Sequence, residues 1–312
     1  MTTLALAIFA LISSLSRGFI SIIDRYQMGY RKESSLKINF YNNFFAALLS
    51  TFCLVWIIKV HQVMFDFNLL MWFNLFVYAL LVQGVAYGYS YIYKHWSVMD
   101  AVMLSNSSNM LIPIALFITT GYFSLFQYSF SVISTVLIVL VGMISLKNKM
   151  TTQDTVTTNR YGLVIKSLLV IVPIIVIQAG VSPLLVRSVK NNVWALMVFT
   201  LITIYLRLII TFVSLAGKLQ KSNPSISRKS IKQTPLLIIF IYTARSVLTI
   251  LAQVTFTLST SSSKSGIAWI FLNMTSLYSV ALSSLILKEK LKVYEVILIV
   301  AITGLSILGS LG

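Results

Sequence analysis

Apolar residues run along the chain in ten long stretches, at about 4–23, 38–58, 69–90, 98–120, 125–146, 161–185, 193–216, 236–260, 265–287 and 293–311. Each approaches the roughly 20 residues a helix needs to cross a hydrocarbon core. The strands of a membrane barrel are about 9–11 residues long and alternate polar with apolar. Residues 131–146 and 296–308 do neither. The pattern predicts an all-α integral membrane protein with ten transmembrane helices. The first stretch does not read as a signal peptide: it lacks a basic leader, and Arg17 interrupts the place where a cleavage site would follow.

Three polar connections stand out, at 24–37, 147–160 and 217–234. The second, KNKMTTQDTVTTNR, falls near the midpoint and divides the chain into residues 1–150 and 151–312, with five stretches in each. An odd number of spans per half turns the second half over relative to the first, which predicts two inverted five-helix repeats, a common transporter architecture. A faint internal echo accompanies this. Gly18 to Arg25 repeats the spacing of Gly180 to Arg187, and ITTGYFSLFQ aligns with LILKEKLKVYE.

Composition sharpens the picture. The chain is 58% hydrophobic and 10% charged, against about 45–50% and 25% in soluble proteins. A soluble domain and a disordered chain are both excluded. Net charge is +17, which in a soluble chain would suggest nucleic acid. Here 16 of the 24 basic residues fall in the loops that follow odd-numbered stretches, and only 4 in the loops on the other side. The positive charge is therefore an orientation signal. It puts the basic side in the cytoplasm and both termini outside, and no nucleic-acid partner is expected.

Little catalytic chemistry is available. Cys53 is the one cysteine, and His61 and His95 are the two histidines. There is no Gly-rich phosphate loop, no HxxxH, no CxxC and no supported Ser/His/Asp set. No cofactor, no metal and no enzymatic activity are expected. The informative residues are polar groups inside the apolar stretches, where an ionisable side chain costs about 2.5–3.5 kcal/mol and needs a partner or a cavity. Arg245 is the deepest, and Arg17 and Arg207 are next, whereas snorkelling accounts for Lys166.

Helical spacing groups these residues into stripes. They are Ser13, Arg17, Ser21 and Asp24; Gln83, Tyr87 and Tyr91; Asn106, Asn109 and Pro113; Thr200, Thr203, Arg207 and Thr211; Arg245, Thr249 and Gln253; and Trp269, Asn273 and Ser276. They read either as the lining of a water-accessible cavity or as hydrogen bonds between helices. Arg245 reads as cavity-facing or as half of a buried ion pair with Asp24 or Asp100. Gly84 and Gly88 predict close helix packing. Tyr91, Tyr93 and Trp96 read as interfacial anchors.

The C-terminal tract LNMTSLYSVALSSLILKEKLKVYEVILIVAITGLSILGS, together with ten spans in two halves, resembles the drug/metabolite transporter superfamily, and its EamA-like branch most closely. Glu289 and Gly304 match the turn and the glycine-spaced helix of that family's C-terminal pair. The first half departs from it, with Gly121 where the turn glutamate is expected. The resemblance implies that each half is an EamA-like repeat and that spans 1, 3, 4, 6, 8 and 9 surround a central site. Arg17, Gln83, Tyr87, Asn106, Asn109, Gln178, Arg245, Gln253, Trp269 and Asn273 are then the substrate-binding set, and Arg207, on span 7, is demoted. It also implies cytoplasmic termini, the reverse of the charge count.

The resulting expectation is a secondary transporter of a small polar metabolite, anionic or zwitterionic, in a bacterial cytoplasmic (inner) membrane. It would work by alternating access, with Asp24 or Asp100 carrying a coupling proton or ion. The partners expected are the lipid bilayer and the small-molecule substrate, for a monomer or a homodimer. The rivals are a flippase for a lipid-linked sugar or other amphiphile, and a membrane enzyme or scaffold.

Overall fold

The computed structural model describes residues 3–61, 68–121, 124–150, 157–189, 192–221, 235–260, 271–272 and 274–311. Among the described residues all regular structure is helical. Helix α1 (Thr3–Arg25) runs on into a π-helical turn, Tyr26–Tyr30. Then come α2 (Ser35–His61), α3 (Leu69–His95), α4 (Val98–Asn106), a 3-10 turn (Ser107–Met110), α5 (Ile112–Thr120), α6 (Leu125–Met150) and α7 (Thr157–Leu185). Finally come α8 (Val193–Lys221), α9 (Pro235–Thr260), α10 (Thr275–Ile286) and α11 (Val293–Leu311).

Six helices are long and apolar enough to cross a membrane: Leu4–Tyr30, Ser35–His61, Leu69–His95, Gly162–Leu185, Val193–Lys218 and Leu236–Ser259. A seventh crossing results if Val98–Met110 and Ile112–Thr119, which meet at a 42° bend, are one broken span. Shorter apolar helices cover Tyr128–Leu137, Thr275–Ile286 and Val293–Leu305. By length and composition the chain is a multi-pass membrane protein. Part of the expected ninth span lies outside the described residues.

Local chemistry sets the helix ends. Asn68 accepts the Met71 N–H at 2.8 Å and starts α3. Ser97 accepts the Asp100 N–H at 3.1 Å and starts α4, while its hydroxyl donates to Asp100 Oδ2 at 2.8 Å. The Ser97 hydroxyl thus satisfies one of the donors that a helix start leaves orphaned. Gly121 ends α5 at φ 72°, a left-handed conformation that a side chain would resist. Pro113 lies in the first turn of α5. Its ring nitrogen has no hydrogen to give to the preceding turn, so the helix breaks there. Pro173 and Pro183 lie inside α7 without breaking it.

Packing joins the two halves of the chain. Helix α1 lies against α9 and α10, α2 against α8 and α9, and α3 against α7 and α8. Helices α4 and α5 both touch α7, α4 also meets α10, and α6 packs on α11. One apolar cluster gathers Ile22, Val98, Met103, Val280 and Ile299 from α1, α4, α10 and α11. Another gathers Leu75, Tyr78, Leu185, Leu196 and Phe199 from α3, α7 and α8. The paired glycines of α3 meet α7: a Cβ on Gly84 would lie 3.5 Å from Ile174, and one on Gly88 only 2.8 Å from Ile171.

The expected anchors at the end of α3 divide. Lys166 lies over the Tyr91 ring at 5.8 Å. Tyr93 and Trp96, however, are buried, and the Trp96 indole donates to Ser167 Oγ on α7 at 2.9 Å. They hold helices together instead of marking a lipid surface.

Candidate functional site

A cavity of about 350 Å³ lies between α1, α3, α4, α7, α8, α9, α10 and α11. That is the lower end of the roughly 300–1,000 Å³ typical of small-molecule pockets. Of the residues singled out from the sequence, Arg17, Asn106, Asn109, Gln178, Arg245 and Gln253 line it, as does Asp24. Gln83 and Tyr87 stand on α3 outside the lining, and Asp100 is at the start of α4. Trp269 and Asn273 lie outside the described residues. The sequence reading missed Tyr78, Tyr89 and Tyr93, which also line the cavity, and it demoted Arg207, which lines it too.

Arg245 reaches across from α9 to α1. Its Nε donates to Asp24 Oδ1 at 3.0 Å and its Nη2 to Oδ2 at 2.8 Å, a bidentate pair. Nη1 donates to Thr249 Oγ1 at 2.6 Å, and that hydroxyl donates back to the Arg245 carbonyl at 2.8 Å. The ion-pair and cavity readings of Arg245 therefore hold together: the paired guanidinium is part of the wall. Planar fork geometry makes such a pair rigid as well as strong.

Arg207 is 3% exposed. Its Nε donates to Gln83 Oε1 at 3.0 Å, an oxygen that also accepts from Asn43 Nδ2 at 2.9 Å. Gln83 Nε2 donates onward to Asn39 Oδ1 at 3.3 Å, and Asn39 Nδ2 to Ser90 Oγ at 2.7 Å. This chain of amides from α2 and α3 fixes the guanidinium from behind. Its Nη1 is buried and has no hydrogen-bond partner.

Arg17 lies over the Phe256 ring, 4.3 Å from guanidinium carbon to centroid. The stripe around it does structural duty: Ser13 Oγ donates to the Ala252 carbonyl at 2.8 Å, and Ser21 Oγ to the Arg17 carbonyl at 3.0 Å. Of the α8 threonines, Thr211 and Thr203 bond within their own helix, to the Arg207 carbonyl at 3.0 Å and the Thr200 carbonyl at 2.6 Å, and Thr200 donates across to Thr257 Oγ1 on α9 at 3.2 Å. Asn106 Nδ2 donates to Ser276 Oγ at 3.2 Å, which joins the stripes of α4 and α10 across the cavity wall.

Electrostatic balance follows from where the acids are. Five of the seven carboxylates lie among the described residues. Glu33 pairs with Arg31 at 2.8 Å. Asp100 caps α4, and Glu295 accepts the Lys292 N–H at 3.0 Å. Glu289 pairs with Arg25 at 3.1 Å. Among the described acids only Asp24 faces the cavity, and it is bound to Arg245. Among the described residues, Arg17 and Arg207 thus meet no carboxylate, and the lining holds three arginines against one aspartate. No group of His, Cys, Asp or Glu side chains among the described residues could hold a metal ion.

Glu289 organises a second polar cluster. Its Oε1 accepts from Arg25 Nε at 3.1 Å and from Tyr30 Oη at 3.2 Å, and its Oε2 accepts the Val98 N–H at 3.0 Å. Arg25 Nη1 also donates to the Tyr93 carbonyl at 2.7 Å. The end of α1, the end of α3, the start of α4 and the turn between α10 and α11 are latched together. A carboxylate at the start of α4 is also favoured by the helix dipole.

Comparison with protein-family models finds no match to the chain, and a search of curated proteins finds none either.

Proposed function

We propose that the protein is a secondary transporter that carries a small polar anion across the membrane by alternating access around this cavity. The observation that carries the reading is a cavity walled by helices of both halves, with two arginines that no carboxylate neutralises among the described residues. A buried positive charge in apolar surroundings is costly unless compensated, and an anion arriving from water compensates it through charge-assisted hydrogen bonds.

The helix pairing supports a ten-span architecture of two inverted halves on the plan of the drug/metabolite transporter superfamily. Number the apolar stretches one to ten, and let each correspond to the one five places on. The contact of α1 with α9, spans one and eight, then corresponds to that of α7 with α3, spans six and three. The contact of α1 with α10 corresponds to that of α7 with α4 and α5, and that of α2 with α9 to that of α8 with α3. The α2/α8 and α6/α11 contacts map onto themselves. Two inverted halves related by a pseudo-two-fold axis would produce this scheme.

Reconstitution tests the function. Proteoliposomes containing the protein should take up a small organic anion, found first by thermal-stability screening. A ligand at 100 times its dissociation constant adds about 2.7 kcal/mol of stability. Arg17→Gln should reduce uptake at least tenfold. Screening hits confined to neutral or cationic solutes, or uptake unchanged in Arg17→Gln, would overturn the reading.

A further inference from the structure

We infer that the ligand of this cavity is an organic dianion, with one negative group held by Arg17 and the other by Arg207. The inference rests on the anion-transport reading above and specifies its substrate class.

Charge counting leads to it. Arg245 and Asp24 neutralise one another through two hydrogen bonds, so they form a polar but neutral wall. Two cationic groups remain on the lining, and neither meets a carboxylate among the described residues. They are on different helices, Arg17 on α1 and Arg207 on α8. A monoanion would leave one of them uncompensated; a dianion satisfies both.

Arg207 carries the stronger signal. The residue lines the cavity at 3% exposure, and its Nη1, itself buried, has no hydrogen-bond partner. Buried donors are rarely left unpaired, and one that is calls for a missing acceptor. The amide chain from Gln83 to Ser90 engages only the Nε edge. The guanidinium is thus anchored along one edge while its Nη1 lacks an acceptor, and an arginine held in this way is pre-organised for a ligand. Arg17 has a different support, the face of Phe256, which positions the cation without neutralising it.

The remaining lining sets the skeleton. Ile20, Val82, Val85 and Ile302 supply apolar surface, so a short carbon chain between the charged groups is accommodated. A dicarboxylate and a phosphate monoester share this chemistry.

The purified full-length protein in detergent tests the charge requirement by thermal unfolding. Succinate is compared with its monoanionic half-amide and its neutral diamide, and glycerol 3-phosphate with a monoanionic phosphodiester of glycerol. Inorganic sulfate separates an organic requirement from a bare dianion. The inference expects at least one of the two organic dianions to bind at least tenfold more tightly than its monoanionic analogue, and to bind more tightly than sulfate. Arg17→Gln and Arg207→Gln should each cut that preference to threefold or less, whereas Lys166→Gln should preserve it. Should Arg207→Gln not fold, Gln83→Ala is read instead, with a weakened dianion preference expected. Equal binding of mono- and dianions overturns the inference and leaves the anion-transport reading standing. Binding of the neutral diamide alone overturns both.

Discussion

At the residue scale, Asp24 and Arg245 are the pair on which most depends. Both side chains are under 10% exposed, so removing either leaves the other as a lone buried charge. Breaking such a pair costs about 3–5 kcal/mol, whereas replacing both members together is far milder. Asp24→Asn and Arg245→Gln should each lower the melting temperature strongly, and the double variant should recover much of the loss. A thermal double-mutant cycle checks this; additive losses would show that the two do not depend on each other. The sequence offered Asp24 and Asp100 as equal partners for Arg245. It could not choose, because the choice lies in which acid is already engaged: Asp100 belongs to the Ser97 cap. Arg207 was illegible for another reason. Its helix was expected to stand away from the centre, yet α8 packs against α3, and a long side chain anchored at Gln83 reaches the lining.

Helices behave here as rigid pieces joined by a few specific contacts. The latch of Arg25, Tyr30 and Glu289 joins three chain segments at one end of the bundle. Under the proposed alternating access an end of the bundle opens, and if it is this end the cluster breaks during the cycle. In a Cys53→Ser background, Arg25→Cys combined with Glu289→Cys should let a short bifunctional thiol reagent stop uptake while ligand-induced stabilisation persists. Uptake insensitive to the cross-link would mean the latch is static. Glu289 was visible in the sequence as a turn residue, but its hold on the start of α4 was not, because nearly 200 residues separate them. The glycines divide in the same way. A Cβ on Gly18 would lie 3.2 Å from the Tyr278 Cβ and 3.5 Å from the Ser279 backbone nitrogen, whereas one on Gly304 meets nothing within 4 Å. Gly18→Val should therefore push α1 from α10 and lower the melting temperature. Gly304→Ala should be neutral or stabilise by up to about 1 kcal/mol. Melting curves of the two variants decide it.

For the whole molecule, much of the architecture could be read directly. Where they are described, the apolar stretches are helical, and six of the helices are long enough to cross a membrane, because desolvating a backbone in lipid requires every N–H and C=O to be bonded within the segment. The fourth stretch was expected as one span and is instead bent by 42° between α4 and α5, where Pro113 withholds a hydrogen bond. Which helices touch was not legible. Helix α2, for instance, carries Asn39, Asn42, Asn43 and Ser50 on its buried face, but nothing in the sequence says that this face meets α8. The polar stripes did point inward, and most of the residues they contain that are now described either line the cavity or bond across a helix pair.

The unmatched arginines also have an electrical meaning. They stay with the protein when the ligand leaves. If the protein is the proposed carrier, the empty cavity, whose described lining holds three guanidinium groups and one carboxylate, would carry about two positive charges as it turns from one side to the other, whereas the cavity filled by a dianion would be close to neutral. Each charge that crosses the full field is worth about 2.3 kcal/mol per 100 mV. On the proposed transport cycle, the return of the empty carrier would be the step that feels the membrane potential, and an energised membrane would draw the vacant site toward its negative face.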